Sequence, residues 1–184
     1  GGVFRRFREL AAYAVGRHDI FGLLPFNKGD AVIDTPVRTY GYDQRRMSWQ
    51  VVRATTVPEL LDASSAMIAA IAADLRRERP DRVLACGTDL KGVTVIAAAH
   101  EVGCPVTTFV AGFEAQESVF DRRGPRPSVL LAERYCLEQS DRLIFPSQFA
   151  AHHAAARVQS LAPFTVVHNG IAAPFLEDIV PTPD

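Results

Sequence analysis

The sequence has little of what marks several classes of protein. Its 184 residues hold three cysteines and no Cys-x-x-Cys pair, which argues against a disulfide scaffold or a zinc site and fits a reducing compartment. No apolar run approaches the roughly 18 residues of a membrane span. Charge of neither sign is in excess, because 20 Lys and Arg stand against 21 Asp and Glu, a formal net charge of −1. We therefore expect a cytoplasmic protein that binds no nucleic acid.

What the sequence does have is enough apolar material for a core. Apolar residues make up 48% of the chain and charged residues 22%, which excludes intrinsic disorder. A chain of this length buries about 70% of the surface that its unfolded form exposes. Since about 150 residues make one domain, the length predicts a single domain.

Helix and strand patterns alternate regularly from residue 56 onward. Thr56 and Glu59 are spaced as a capping box, and the helix that they begin is predicted to end near Arg79. Short continuous apolar runs are typical of strands buried on both faces. They predict strands at 82–86, 105–110, 142–145 and 164–167, with helices at 91–102, 128–139 and 147–158, the last two capped by Ser128 and Ser147. This alternation predicts an α/β fold, a parallel sheet with helices on both faces.

The pattern is weaker before residue 56. Apolar residues at intervals of three and four predict an amphipathic helix over 3–15, with Gly16 as its C-cap. The run Asp19–Leu24 predicts a short buried strand that Pro25 closes. Extended segments are predicted at 31–33 and 37–42, and a further short strand at 47–52.

Candidate binding segments are those that follow strands, because ligands bind an open α/β sheet at the carboxyl ends of its strands. Residues 87–89, 111–127, 146–147 and 168–170 are four such segments. Gly1 and Gly2 are a fifth if a strand precedes them. Two glycines and the free N–H groups of the following helix suit an anion, to which Arg5 would add a fixed charge.

Histidine is the side chain that most readily supplies a base near neutral pH. Of the five histidines, only His168 follows a strand and has a plausible site position. We expect the other four to be structural or solvated, because they fall on predicted helices or next to helix ends, away from the strand ends: His18, His100, His152 and His153.

Several segments carry motifs in a consistent order and spacing. Residues 1–11 match a GGxxRxxxELA run, and residues 80–86 take the place of a PDVVHxH strand. Residues 133–147, which include SDRLIFPS, are similar to ExxxLxxADxVIAVS, and residues 166–175 are similar to a VIPNGIDxxxF hinge. Together these segments resemble the GT-B glycosyltransferases of the glycosyltransferase-4 type, over nearly the whole chain.

The resemblance implies a Rossmann-like domain over residues 1–176, the N-terminal half of a GT-B fold. Residues 177–184 would begin the linker to a C-terminal donor-binding domain. The implied reaction transfers a sugar from a nucleotide-sugar with retention of configuration, with no other cofactor and no metal. The expected partners are the nucleotide-sugar, a glycan, lipid or small-molecule acceptor, and the C-terminal domain, with a peripheral membrane contact left open. This half alone would be inactive, because the main donor site lies in the other domain.

The resemblance also implies residue roles. The donor phosphate would lie against Gly1, Gly2 and Arg5. The acceptor would contact residues that follow the predicted strands at 82–86 and 105–110: Thr88, Asp89, Ala111, Gly112, Phe113, Glu114 and Arg122. The hinge would be His168, Asn169 and Gly170.

The chain departs from the family pattern at two strands. Ala111 stands where the family has a histidine that contacts the donor sugar, and Leu84 and Cys86 replace its two strand histidines. These departures favour an alternative, a non-catalytic GT-B-like module that binds a glycan or a protein partner. Half of a GT-B epimerase or phosphorylase is a third interpretation, which the motifs support less well.

Overall fold

A computed structural model describes residues 10–26, 37–43, 47–113, 116 and 124–168. Predictions on other residues therefore lie outside the described part of the chain. They concern most of the helix over 3–15, the extended segment 31–33, the linker 177–184, and the site residues Gly1, Gly2, Arg5, Glu114, Arg122, Asn169 and Gly170.

The described residues form an α/β fold with two parallel sheets. The strands are β1 (Gly22–Phe26), β2 (Thr39–Asp43), β3 (Val83–Cys86), β4 (Val106–Phe109), β5 (Arg142–Phe145) and β6 (Phe164–Val166). Residues 10–14 are helical, and the α-helices that lie wholly within the described ranges are α1 (Val57–Glu78), α2 (Leu90–Glu101), α3 (Pro127–Gln139) and α4 (Gln148–Ala155). Strands β1 and β2 pair with each other, and the second sheet has the order β3-β4-β5-β6. Parallel sheets flanked by helices confirm the predicted α/β fold class.

Helix α1 begins as the sequence predicts. The Thr56 side chain accepts a hydrogen bond from the Glu59 N–H, and the Glu59 carboxylate accepts from the Thr56 N–H, which completes the capping box. The same carboxylate accepts from the Thr55 N–H at 2.8 Å. The hydrogen bonds from Thr55 are the main cause of a lowered pKa at Glu59. The helix ends before Arg79, whose φ of 50° lies in the left-handed region.

Strand β2 is held to α1 by hydrogen-bonded tyrosines. Buried Tyr42 donates its hydroxyl hydrogen bond to Asp74 Oδ2 at 2.5 Å. Burial, and then the bond to Asp74, raise the pKa of Tyr42 far above its ordinary value, so the hydroxyl remains a neutral donor. Tyr40 donates to the Glu78 carboxylate, which also pairs with Arg38.

Two apolar clusters form the core. The larger joins α1 and α2 to β3 and β4 and is centred on side chains such as Met67, Ile96 and Val106. The smaller joins β5 to α3 and α4 through residues that include Leu137 and Phe145. The smaller cluster also contains Phe113, which follows β4, and so the packing of the core reaches the carboxyl edge of the sheet.

Three local predictions are wrong, each for a local reason. Residues 47–52 form no strand, because the Ser48 hydroxyl accepts from the Gln50 N–H and starts a 3-10 turn over Trp49–Arg53. Pro25 does not close the first strand, which runs through it to Phe26. Among the described residues β1 pairs only with β2 and is therefore an edge strand, where the missing N–H of a proline is tolerated. Ser128 does not cap α3.

Helix α3 begins one residue earlier than predicted. Pro127 occupies its first turn, where the fixed φ and the missing N–H of proline are suited to a helix start. Ser128 is therefore inside the helix and buried, and its hydroxyl donates to the Val52 carbonyl at 3.4 Å. In contrast, Ser147 caps α4 as predicted, accepting from the Ala150 N–H at 3.1 Å.

Candidate functional site

A cavity of about 240 Å³ lies at the carboxyl ends of β4 and β5. Because strands β3 to β6 are parallel, their carboxyl ends meet at one edge of the sheet, which is where ligands bind in this class of fold. The lining is mostly apolar and consists of Val110, Ala111, Gly112, Phe113, Gln116, Pro146, Phe149, Ala150 and His153. It combines the segment that follows β4 with the start of α4.

Three aromatic rings form one side of this cavity. Phe149 and His153 lie four residues apart on α4, which places them on the same helix face. Their rings are nearly parallel, with centroids 6.2 Å apart, and the His153 ring lies 5.1 Å from that of Phe113. Phe113 is buried, whereas Phe149 is 76% exposed. Phe113 and His153 therefore form an aromatic floor of the cavity, whereas the apolar ring of Phe149 is open to solvent.

His153 carries a buried polar atom behind the face that it presents to the cavity. Its Nε2 has almost no accessible surface and finds no hydrogen-bond partner among the described residues. A buried polar atom without a partner costs roughly 1–3 kcal/mol, so folded proteins usually pair such atoms. Among the described residues of the lining, the other polar side chain is that of Gln116, which is exposed. The described part of the lining is thus mostly apolar, with few polar groups.

An ion pair supports the aromatic floor. Arg157 Nη1 donates to Glu133 Oε2 at 3.2 Å, and the Glu133 side chain is buried on α3. The Arg157 guanidinium carbon also lies 5.3 Å from the Phe113 ring centroid, close enough for a cation–π contact. The floor is consequently linked to α3 as well as to α4.

The segment after β3 is built differently. Buried Thr88 donates to the Gly112 carbonyl at 3.3 Å. Asp89 caps α2, and its Oδ1 accepts from the N–H groups of Lys91 and Gly92, each at 3.0 Å. Both polar side chains thus make hydrogen bonds within the fold, and their predicted contacts with an acceptor stay predictions.

The other predicted site residues divide into two groups. Ala111, Gly112 and Phe113 all line the cavity, so the structure brings these three acceptor candidates together. His168 is exposed just beyond β6 and is not part of the lining. Its predicted hinge role stays a prediction.

Sequence reasoning missed Phe149 and His153. The expectation that His153 lies away from the strand ends is wrong, because α4 begins directly after β5 and its first two turns run along the cavity. The signal was available in part. Ser147 caps the helix at the end of a strand, and residues in the first turns of such a helix lie near the carboxyl edge of the sheet.

The part of the chain that the structure describes contains no group of three or more His, Cys, Asp or Glu side chains placed to hold a metal ion. Its three cysteines form no disulfide with one another. None of the described helices is both long enough and apolar enough to cross a bilayer.

Comparisons with known proteins bear on the family. A family model for Glycosyltransferase Family 4 matches residues 1–173. A solved structure described as a co-structure of Staphylococcus aureus MnaA with UDP is 15% identical, with a TM-score of 0.39. The alignment covers 76% of this chain and 43% of the MnaA chain, so this chain spans less than half of that protein. No curated protein matches. Since the family model covers almost the entire sequence, the chain belongs to Glycosyltransferase Family 4.

Proposed function

We propose that this chain is the acceptor-binding domain of a retaining glycosyltransferase. The enzyme moves a sugar from a nucleotide-sugar, its co-substrate, to an acceptor hydroxyl, with no other cofactor. The observation that carries the proposal is the family match over residues 1–173 together with a cavity at the carboxyl edge of the parallel sheet. This edge is the usual ligand site of an open α/β sheet.

The same proposal assigns the acceptor and the donor to different parts of the protein. The acceptor lies in the cavity after β4 and β5, whereas the donor phosphate lies at Gly1, Gly2 and Arg5, and the rest of the donor binds a second domain after the hinge at 168–170. Alone, these 184 residues transfer no sugar. Transfer at a measurable rate by the 184-residue chain with any nucleotide-sugar would contradict this part of the proposal.

The main test uses the intact protein with a panel of UDP-, GDP- and ADP-sugars. We expect donor-dependent transfer, with the anomeric configuration of the donor kept in the product as read by NMR. Arg5→Ala should weaken donor binding, and Arg6→Ala serves as the matched control because Arg6 is not part of the predicted anion site. Equal donor affinity in both variants would refute the anion-site assignment.

A second candidate is a non-catalytic module that binds a glycan or a protein partner. One observation favours it: Ala111, which lines the cavity, stands where the family pattern has the histidine that contacts the donor sugar. Failure of the intact protein to hydrolyse or transfer from any nucleotide-sugar would favour the module.

A further inference from the structure

Arg157 lies just after α4 and contacts both a buried carboxylate and a ring of the cavity lining. We propose that Arg157 is a positioning residue of the acceptor site: held by Glu133, its guanidinium fixes the orientation of the Phe113 ring and with it the shape of the cavity. The word acceptor rests on the proposed function, which the inference deepens by naming a residue that sets the specificity of that site. The positioning itself belongs to the folded chain and is measurable without a substrate.

The guanidinium of Arg157 is anchored on α3. Its Nη1 donates to Glu133 Oε2 at 3.2 Å, and the Glu133 side chain is only 4% exposed. A backbone hydrogen bond from the Ala162 N–H to the Leu137 carbonyl, at 3.0 Å, ties the chain that follows to the same helix. The charge that contacts the cavity lining therefore has a position set by a buried carboxylate of a neighbouring helix.

The Phe113 ring needs a directional contact to keep one orientation. The ring belongs to the smaller apolar cluster, but apolar burial has no directional preference. Two contacts of the described residues do have one. The Arg157 guanidinium carbon lies over the ring, 5.3 Å from its centroid, and the His153 ring lies at 5.1 Å with a tilt of 59°. Because a cation is attracted to the face of a ring, Arg157 favours orientations that turn this face toward it.

Arginine is suited to this double contact. Its guanidinium is planar, stacks on aromatic faces and presents a rigid fork of donors to a carboxylate. The Arg157 side chain is 32% exposed, and a partly desolvated cation binds a ring more strongly than a fully hydrated one. A lysine ammonium is a point charge without the planar fork, so lysine should keep the ion pair and lose part of the contact with the ring.

The orientation of Phe113 should matter for the acceptor and not for the donor. Phe113 lines the cavity together with Ala111 and Gly112, which precede it in the same segment. The donor phosphate is predicted to lie at the first residues of the chain. Loss of the Arg157 contact should therefore raise the KM for the acceptor and leave the KM for the donor unchanged, a split that a general loss of stability does not produce.

The first test needs neither donor nor acceptor. Phe113 is replaced by para-fluorophenylalanine in the intact protein, and the fluorine resonance reports the surroundings of the ring. We expect this resonance to shift or broaden in Arg157→Met. Arg134→Met is the matched control, since Arg134 pairs with Glu138 on α3, and it should leave the resonance unchanged. Arg157→Lys should shift it in the same direction by a smaller amount.

An unchanged resonance in folded Arg157→Met would overturn the inference. Where that variant does not fold, Arg157→Lys decides, because it keeps a charge beside Glu133, and an unchanged resonance there would overturn the inference in the same way. A shift of equal size in Arg134→Met would also do so, since it would show that the ring responds to any loss of charge near α3.

The second test is kinetic and uses methyl β-D-glucopyranoside, octyl β-D-glucopyranoside and glycerol as acceptors. With whichever accepts sugar, Arg157→Met should raise the acceptor KM about fivefold, the effect of one cation–π contact, and change the donor KM and kcat by less than about twofold. Phe113→Leu removes the ring, so adding Arg157→Met to it should raise the acceptor KM no further. A full further increase, or equal changes in both KM values, would refute the positioning role.

The two tests separate this inference from the proposed function. If none of the three compounds accepts sugar, the fluorine measurement decides alone. A shifted resonance in a protein that transfers no sugar would remove the glycosyltransferase proposal and leave the positioning of Phe113. Sugar transfer together with an unchanged resonance would do the reverse.

Discussion

The segments that follow β3 and β4 lie at the same edge of one sheet, but they use their side chains in opposite ways. After β3, Thr88 and Asp89 make hydrogen bonds within the fold. Around the cavity after β4, the apolar Phe149 ring is exposed, and buried His153 Nε2 has no hydrogen-bond partner among the described residues. A position at a strand's carboxyl end therefore does not make a site. A site also needs surface that folding has left exposed.

The largest effect is expected at Gly92, where α2 packs against the segment that follows β3. A Cβ on Gly92 would lie 2.7 Å from the Gly87 carbonyl oxygen and 3.1 Å from Cys136 Sγ. Since the nearer neighbour is backbone, Gly92→Ala should lower the free energy of unfolding by about 2–3 kcal/mol, measured by urea denaturation. Gly103→Ala is the control, because Gly103 has open space around it and a φ of +70°. It should lose only about 1 kcal/mol. Wild-type stability in Gly92→Ala would show that the segment is not closely packed.

The next effect concerns the ion pair of Glu133 with Arg157, whose guanidinium lies against the Phe113 ring of the cavity lining. Arg157→Met leaves the buried Glu133 carboxylate without this partner and should cost about 2 kcal/mol of unfolding free energy. The pair of Arg134 and Glu138 on the exposed face of α3 is the matched control, and Arg134→Met should cost less than about 0.5 kcal/mol. Similar losses in the two variants would mean that burial of Glu133 does not matter.

Substitutions of Asp89 test whether the segment that follows β3 only supports the fold. Asp89→Ala removes the cap of α2 and should cost about 1 kcal/mol of unfolding free energy, whereas Asp89→Ser keeps a capping oxygen and should be close to wild type. Altered acceptor use in the stable Asp89→Ser variant would support the predicted acceptor contact of Asp89.

The smallest effect has the opposite sign. His153→Phe replaces a buried nitrogen that has no partner among the described residues with an apolar ring, and it should raise the free energy of unfolding by at most about 1 kcal/mol. His152→Phe, exposed on the same helix, should change it by less than about 0.5 kcal/mol. A loss of stability in His153→Phe would indicate that the nitrogen has a hydrogen-bond partner.

Much of the fold was predictable from local sequence signals. The capping box at Thr56 and Glu59 and the cap at Ser147 depend on residues within one helical turn, and both formed as expected. The short apolar runs predicted β3 to β6 to within two residues at each end. Signals of this kind act over a few residues, and tertiary packing seldom overrides them.

The failures lie where two neighbouring signals competed. An apolar stretch at 47–52 is consistent with a strand, but the Ser48 cap started a 3-10 turn, and a long-range bond from the Ser48 N–H to the Ala63 carbonyl holds its start against α1. Ser128 is a good cap in isolation, but Pro127 began the helix first. In each case one residue decided the outcome.

By itself, the sequence determined the fold class, the main helix starts and the family, because periodicity, caps and motif spacing are properties of residues close together in the chain. Only the tertiary structure decided which strand-end residues are free to bind. Whether Asp89 is engaged in a cap or His153 is left without a partner depends on atoms brought together by folding. That is why Phe149 and His153, which belong to an ordinary helix in the sequence, line the cavity that follows β4 and β5.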